Sequence, residues 1–405
     1  MKNPAHWRIS SLENVAEIQT GLSKSASRQG EFVTLPYLRV ANVQDGHFDL
    51  TEIKEIEVPK AAVDRFRVRD GDVLLTEGGD FDKLGRGAVW RGQIKDCVHQ
   101  NHIFVVRPDT KKLDVRFFAY QTQGPRGRAY FQSCSKQSTN LASINSSQLK
   151  QFPTALPRLP EQRKIADILT TWDEALTQLD ALIEAQERRK KALMQRLLTG
   201  RRRLKGFSKP WKRFRFSELL EAQDRYVEFD DDHTYSLMSI RRRSGGVFFR
   251  EALQGGDIKT KVMKRVHTGD FLISRMQVVH GALGMVRPEC DGIYASDSYD
   301  VLIAKNEKVL HMPFLDWMSR MRSFWHLTYI SSHGVHIEKM TFKLSDFMHE
   351  KINLPDDLEE QRQITAILDT ADQQLTLLRT QRTALDQQKR GLMQRLLTGK
   401  LRVKP

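Results

Sequence analysis

Cysteine is scarce in this sequence, and so are long hydrophobic runs. The three cysteines, Cys97, Cys134 and Cys290, lie far apart and form no Cys-x-x-Cys pair. An odd and scattered set of this kind indicates neither a disulfide framework nor a zinc site. No apolar stretch is long enough to span a bilayer, and the first residues lead into no signal-peptide core. We therefore expect a cytoplasmic protein with free thiols and no membrane contact.

Motifs that carry chemistry are also missing. The glycines between Gly78 and Gly87 lack both the Gly-Lys-Ser/Thr of a phosphate-binding loop and the G-x-G-x-x-G spacing. The sequence has no Asn/Asp-Pro-Pro-aromatic run and no carboxylate cluster with a lysine, as a nuclease needs. Its twelve histidines lack metal-ligand spacing, and His333 and His336, three positions apart, come nearest to it. We expect no catalytic residue, metal or cofactor in this chain.

What the sequence does contain is positive charge. Lys and Arg number 65 against 50 Asp and Glu, which gives a formal net charge of +15. Several of these cations are clustered, at residues 201–203, 241–243 and 259–265. A basic and clustered balance favours a polyanionic partner, and nucleic acid is the most common one in the cytosol. The alternative is a generally basic protein without such a ligand.

The chain also repeats itself. Residues 193–200, Leu-Met-Gln-Arg-Leu-Leu-Thr-Gly, return unchanged as residues 392–399. Weaker matches precede them, such as the Gly-Asp-hydrophobic runs at Gly71 and Gly269 and the Leu-Pro pairs at Leu156 and Leu354. A repeat that spans half the chain predicts two copies of one structural plan.

The repeated segments have helical periodicity. Apolar residues recur every three or four positions from about Glu161 to Leu198, and the second copy shares this pattern. Pro160 suits a first helical turn, Asp357 with Glu360 resembles a capping box, and Gly200 and Gly399 suit helix ends. These apolar residues form a narrow stripe on each helix that must be shielded from water. We therefore expect the two helices to pair with each other as an antiparallel coiled coil, which would act as a spacer. The alternative is that each helix packs only on its own domain. The predicted helix–helix residues are Ile165, Trp172, Leu179, Leu193, Ile364, Leu378, Leu385 and Leu392.

The fold class that follows is α+β. We expect two pseudo-repeated mixed α/β domains, at residues 1–156 and 201–354, and two long helices, at residues 157–200 and 355–405. Short strand-like runs separated by turn signals, with local helices between them, predict the mixed domains.

Each predicted domain contains cationic and amide side chains suited to DNA. Arginine and lysine hold phosphates or read guanine, and asparagine and glutamine read adenine. For any single residue, a solvated surface role is at least as common. The predicted DNA-binding residues of the first half are Arg39, Lys83, Arg86, Arg91, Arg126, Arg128, Lys136, Gln137, Thr139 and Asn140. Those of the second half are Arg241, Arg242, Arg243, Arg250, Arg275, Gln277 and His333.

These features together resemble the specificity subunit of type I restriction-modification systems. The resemblance is carried by residues 161–169 with their echo at 360–368, by the twin Leu-Met-Gln-Arg-Leu-Leu-Thr-Gly endings, and by Tyr37–Val43 and Gly71–Leu75. The second half has Tyr235–Ile240 in place of a clean copy of the Tyr37–Val43 run. The resemblance covers the whole chain.

The resemblance implies two target-recognition domains on antiparallel helices, which read the two halves of an asymmetric, interrupted double-stranded DNA target. It implies two methyltransferase subunits that use S-adenosylmethionine to methylate adenine N6. It also implies restriction subunits that use ATP and Mg in the full complex. The chain itself would be non-catalytic. The alternative function is a non-catalytic coiled-coil adaptor, structural or regulatory, whose basic patches bind RNA or an acidic protein without sequence preference. A third possibility, an enzyme, would need a cofactor motif that we do not find.

Overall fold

The computed structural model describes residues 7–23, 31–79, 81, 84–138 and 141–404. The chain divides into two compact units. Unit 1 comprises Met1–Asp180 and Thr380–Pro405, and unit 2 comprises Ala181–Arg379. Each unit therefore contains the first part of one long helix and the last part of the other.

Unit 1 is built from short strands and helices. Its strands are β1 (Arg8–Ser11), β2 (Ala16–Thr20), β3 (Phe32–Leu38), β4 (Lys54–Pro59), β5 (Val73–Thr76), β6 (Gly78–Gly79), β7 (Gly87–Val89), β8 (Val98–His99), β9 (Ile103–Pro108), β10 (Lys136–Ser138), β11 (Leu141–Ser143) and β12 (Pro153–Leu156). Its helices are α1 (Val63–Phe66), α2 (Val115–Gln123), α3 (Pro125–Cys134), α4 (Ser146–Lys150) and the start of α5 (Leu159–Leu197). The sheets have the orders β1-β12, β2-β9-β5-β7, β4-β3-β8 and β10-β11-β6.

Unit 2 repeats this plan. Its strands are β13 (Lys212–Arg215), β14 (Leu220–Ala222), β15 (Tyr226–Val227), β16 (Thr234–Ile240), β17 (Val247–Gln254), β18 (Met263–Arg265), β19 (Phe271–Ser274), β20 (Leu283–Met285), β21 (Tyr294–Ser296), β22 (Tyr299–Ala304), β23 (Ser332–His333), β24 (Thr341–Phe342) and β25 (Lys351–Leu354). Its helices are α6 (Phe216–Leu219), α7 (Met312–Met318), α8 (Arg322–Ile330), α9 (Leu344–His349) and the start of α10 (Leu358–Leu397). The sheets are β13-β25, β14-β22-β19-β20, β15-β18-β21-β16-β17 and β23-β24.

Each unit has a four-stranded central sheet of the same arrangement. In β2-β9-β5-β7 and in β14-β22-β19-β20 the third strand begins directly after the repeated Gly-Asp pair. Gly71 and Gly269 have φ of +87° and +93°, a conformation that favours glycine. The buried Asp72 accepts two hydrogen bonds of 2.8 Å from Arg107, and Asp270 accepts one of 2.5 Å from Arg225. The repeated motif therefore starts a core strand, and the predicted mixed α/β repeat is confirmed.

Both predicted long helices are present. α5 and α10 end before Gly200 and Gly399, which have φ of +68° and +66°. The predicted capping box at Asp357 is wrong in one respect. Asp357 accepts a hydrogen bond from the backbone N–H of Glu359 at 2.9 Å, but the Glu360 side chain is buried and pairs with Arg203 at 2.6 Å.

The repeated Glu-Gln at the start of each helix ties that helix to its own unit. Gln162 accepts a 2.8 Å hydrogen bond from the Asp114 N–H and donates to the Lys112 and Pro157 carbonyls. Gln361 makes the equivalent three bonds with His311, Val309 and Pro355. Since these residues are buried, each bond satisfies a group that water cannot reach.

The preceding glutamates are neutralised by the segments that follow the opposite helix. Glu161 accepts hydrogen bonds from Nε and Nη2 of Arg402 within unit 1, and Glu360 accepts the same two bonds from Arg203 within unit 2. Both arginines lie just beyond a helix-ending glycine. The two pairs are equivalent, because Glu161 and Glu360, like Arg203 and Arg402, are separated by 199 positions, the spacing between the two copies of the repeat.

The helices contact each other inside each unit, and they run antiparallel. In unit 1, Asp173 pairs with Lys389, and Asp180 with Arg382 at 3.0 Å. In unit 2, Asp372 pairs with Lys190, and Glu187 with Arg379 at 2.5 Å. As the residue number rises along α5, the number of its partner on α10 falls, as it does in an antiparallel pair. Because these ion pairs join one helix to the other, the alternative in which each helix packs only on its own domain is wrong.

Burial along the predicted stripe is uneven. Ile165 and Ile364, at the helix starts, are fully buried in the two unit cores. The remaining six predicted positions are half-buried: Trp172, Leu179, Leu193, Leu378, Leu385 and Leu392. Leu182 and Leu377 are exposed. None of the helices in the described ranges is long and apolar enough to cross a membrane.

Candidate nucleic-acid interface

Three consecutive arginines form a tight turn in unit 2. Residues 241–246 connect β16 to β17, and Arg243 and Ser244 have φ of +59° and +55°. The Arg243 N–H donates to the His280 carbonyl at 2.7 Å, and the Ser244 N–H to the Gly281 carbonyl at 2.8 Å. The Trp325 indole N–H donates to the Ser244 hydroxyl. This turn is therefore held in place by α8 and by the segment around His280.

The arginine side chains themselves are exposed. Arg241 stacks over the Phe248 ring at 3.9 Å, which fixes its direction. Arg242 and Arg243 form no ion pair with any residue that the structure describes, so their charges remain available to an anion.

The β23–β24 hairpin lies next to the same surface. The Phe342 N–H donates to the Arg275 carbonyl at 2.9 Å, and His280 lies 3.4 Å from the Glu338 carboxylate. We call residues 241–246, 275–281 and 332–342 the unit-2 loop face. It brings together six predicted residues from three separate segments of the chain, namely Arg241, Arg242, Arg243, Arg275, Gln277 and His333. His333 pairs with Asp346 at 2.6 Å, and this hydrogen bond lowers the pKa of that carboxyl.

Two predicted arginines of unit 2 are already paired. Arg275 donates from Nε and Nη2 to the buried Asp300 at 3.0 and 2.8 Å, and these bonds raise the pKa of its guanidinium. Asp297 lies 3.5 Å from Nη1. Arg250 pairs with its neighbour Glu251 at 2.7 Å. Contact with DNA by either residue stays a prediction, and the structure gives Arg275 a role in supporting the loop face.

Unit 1 has a cleft at the position that corresponds to the unit-2 loop face. Its volume is about 350 Å³, and its lining includes Gln44, His47, Arg86, Gln123 and Arg128. The Gly46 N–H donates to the Gly87 carbonyl at 3.0 Å, and Arg128 donates to the Gln123 carbonyl at 2.9 Å and pairs with Asp45. Arg86 and Arg128, both predicted, are therefore brought together, with Gln44, His47 and Gln123 as lining residues that the sequence did not single out.

A glycine packs against an aromatic ring at the corresponding position of both units. Gly85 has φ of +64°, and a side chain there would collide with Phe131 of α3. Gly281 has φ of +74°, and a Cβ would lie 3.1 Å from Trp325 of α8. Only glycine tolerates both the positive φ and the close approach to the ring. These two positions therefore allow a loop to pack directly against the helix behind it. The cleft and the unit-2 loop face thus have one scaffold and different side chains.

The other predicted residues of unit 1 are dispersed. Arg39 pairs with Glu52 at 3.3 Å, Arg91 is exposed, and Arg126 is half-buried. Lys136 and Gln137 lie in β10, where the structure describes the backbone alone. Lys83, Thr139 and Asn140 lie outside the described residues. Among the residues that are described, no group of three or more His, Cys, Asp or Glu side chains could hold a metal ion.

Comparison with known proteins gives consistent results. A family model described as the type I restriction modification DNA specificity domain matches residues 4–187 and 208–387. The putative type I restriction enzyme MjaX specificity subunit of Methanocaldococcus jannaschii is 26% identical over 421 residues, covering 99% of this chain and 95% of that protein.

Solved structures share the fold. A crystal structure of the type I restriction-modification system S subunit from M. genitalium has a TM-score of 0.57 at 14% identity, covering 98% of this chain and 97% of that one. A chain from a structural study of complex assembly and conformational transition in the type I R-M system has a TM-score of 0.61 at 18% identity, covering 99% and 100%.

Proposed function

Because the chain belongs to the type I restriction-modification DNA specificity family, we propose that each unit reads one half of an interrupted, asymmetric DNA target. The chain is the specificity subunit of such a system, with two DNA-recognition domains and no catalytic activity of its own.

The observation that carries the proposal is the duplicated scaffold with different loops. The unit-2 loop face presents three exposed arginines on a fixed turn, whereas the unit-1 cleft presents Arg86, Arg128 and two glutamines. Cations position a duplex through its phosphates, and Arg and Gln side chains recognise base edges in the major groove. Two surfaces of unlike chemistry should read two unlike half-sites.

The paired helices are the proposed spacer. Their ion pairs are related by the repeat, since Asp173–Lys389 in unit 1 corresponds to Asp372–Lys190 in unit 2. Such flanking pairs, together with an apolar stripe near a period of 3.5, are what a two-helix coiled coil requires. Two sites on the same face of a duplex lie one helical turn or a multiple of it apart, and one turn is about 34 Å. The helices would hold the two readers at such a separation.

The partners supply the chemistry in this proposal. Two methyltransferase subunits, each with S-adenosylmethionine, would bind equivalent surfaces of the twofold plan and methylate adenine N6 in each half-site. Restriction subunits with ATP and Mg would complete the larger complex. The target adenine would be extruded from the base stack to reach the methyltransferase.

Duplex binding distinguishes this function from a nucleic-acid-binding adaptor. The full chain, assembled with its methyltransferase, should bind one two-part sequence far more tightly than unrelated duplex at the same salt concentration. Electrophoretic mobility shift or fluorescence anisotropy with competitor DNA measures the ratio. Equal affinity for all duplexes would favour the adaptor.

Two substitutions should separate base reading from phosphate binding. Arg86→Ala, in the unit-1 cleft, should cost about 1–3 kcal/mol on the cognate target and relax one base position. Arg242→Ala, on the exposed turn, should weaken cognate and unrelated DNA alike and reduce the salt dependence of binding by about one phosphate contact. Titrations at several salt concentrations on a panel of single-base variants measure both. Identical behaviour of the two proteins would contradict the assignment.

A further inference from the structure

The hairpin loop between β23 and β24 presents aliphatic side chains to solvent at the unit-2 loop face. Val335 is 94% exposed and Ile337 is 51% exposed. Met276 is 46% exposed and neighbours the loop, because the Thr341 hydroxyl donates to its sulfur at 3.9 Å. Isolated exposed aliphatic residues are common, but several on one loop surface indicate a contact site.

The loop holds these side chains in a defined position. A Cβ at Gly334 would lie 2.8 Å from Met340 Cα, so this residue must be glycine for the loop to close on itself. The Lys339 N–H donates to the His336 carbonyl at 2.8 Å. Met340 is buried beneath the loop, and His333 is fixed to Asp346. Val335 therefore projects from a structured tip.

The charges around this tip indicate what covers it. Lys339 and Lys343 are exposed beside the loop, and neither forms an ion pair with a residue in the described ranges. Arg242 and Arg243 lie on the neighbouring turn, which is hydrogen-bonded to the His280 segment that meets Glu338. The tip also carries the Glu338 carboxylate, which lies 3.4 Å from His280, and these four cations outnumber it. An apolar tip with a surplus of positive charge around it complements a polyanion with a small apolar feature. In duplex DNA, the apolar group of the major groove is the 5-methyl of thymine.

We infer that Val335 reads a thymine in the half-site of unit 2 by packing against its 5-methyl group. The inference rests on the proposed function and names one specificity determinant within it. A thymine is available there, because a half-site that contains the adenine to be methylated also contains its A·T pair.

The test removes the methyl group from the DNA and the valine from the protein separately. Each thymine of the target is replaced in turn by deoxyuridine, which changes the 5-methyl to hydrogen. Affinity is measured for the full chain assembled with its methyltransferase. We expect one replacement to weaken binding about fourfold, which corresponds to about 0.8 kcal/mol for one buried methyl-sized group. The Val335→Ala protein should bind the thymine and deoxyuridine duplexes equally well.

A matched control is another exposed valine of unit 2. Val262 is 48% exposed and lies outside the unit-2 loop face. Val262→Ala should keep the fourfold discrimination. Because Val335 and Val262 are both exposed, neither substitution should affect folding, which thermal unfolding of both proteins will check.

Two results would overturn the inference. In one, every thymine tolerates replacement by deoxyuridine. In the other, the Val335→Ala protein still binds the thymine duplex more tightly than the deoxyuridine duplex. That result overturns the inference even if the substitution weakens assembly with the methyltransferase. The proposed function is judged separately by the ratio of target to unrelated DNA in the same titrations. A protein that prefers its target but ignores the methyl group contradicts the inference alone.

Discussion

Deleting residues 177–183 from α5 together with residues 379–385 from α10 should shorten the unread gap in the DNA target by about three base pairs. Seven helical residues correspond to about 10.5 Å at 1.5 Å per residue. One base pair occupies about 3.4 Å along the duplex. Both half-sites should remain unchanged, since no residue of the unit-1 cleft or the unit-2 loop face is removed.

The two deletions are matched because the helices are antiparallel. Asp180 and Arg382, which pair with each other, lie at the centres of the deleted segments. The flanking pairs Asp173–Lys389 and Lys190–Asp372 are retained, and seven residues preserve the heptad register. Inserting seven residues at the same two places is the converse variant, and it should lengthen the gap by a similar amount.

Sequencing of methylated adenines in cells that express each variant with its methyltransferase measures the gap directly. The deletion and insertion should move it in opposite directions. Methylation at the original spacing in both variants would show that something other than the helices sets the distance.

Arg203→Ala should lower the free energy of unfolding of unit 2 by about 2–3 kcal/mol. Breaking a buried ion pair typically costs about 3–5 kcal/mol because the remaining charge lacks a partner, and the cost is smaller here because a quarter of the Arg203 side chain is exposed to solvent. Glu360, by contrast, is fully buried. The hydrogen bonds to Glu360 raise the pKa of the Arg203 guanidinium, which is consistent with a tight pair.

Thermal unfolding measures this loss, which should lower Tm by roughly 5–10 °C for a unit of this size. Arg202→Ala is the matched control, because its side chain is exposed on the adjacent position and should change stability by less than about 0.5 kcal/mol. Adding Glu360→Gln to Arg203→Ala should recover part of the stability, since a neutral amide needs no counter-charge. If Arg203→Ala and Arg202→Ala unfold alike, Glu360 does not depend on Arg203.

The sequence was sufficient to predict the repeat, the mixed units and the long helices. These features depend on local periodicity and on identity between two copies, both of which are visible in one chain. Gly200 and Gly399 illustrate this, because the left-handed conformation at a helix end is a local requirement that favours glycine. The Glu-Gln pairs at the helix starts carry part of the family resemblance, but their contacts involve residues distant in sequence, such as Arg402 and Arg203, which no local pattern predicts.

The candidate sites were only partly predictable. Three segments make the unit-2 loop face, and their meeting depends on hydrogen bonds such as Arg243 to His280, between residues distant in sequence. Arginine is a residue type suited to DNA contact, but the Arg275 guanidinium already pairs with the buried carboxylate of Asp300. The sequence does not mark Val335 as a candidate site residue, because a valine in a loop is unusual only when its side chain is exposed, and exposure is known only from the structure.

The central claim is that two unlike units read the two halves of one DNA target. Sequencing of methylated adenines in cells with this gene, its methyltransferase and no other specificity subunit tests it most directly. The account predicts a single motif with two different half-sites, separated by bases of any identity and methylated once in each half. A motif with identical halves, a motif without an unread gap, or the same methylation after deletion of this gene would contradict it.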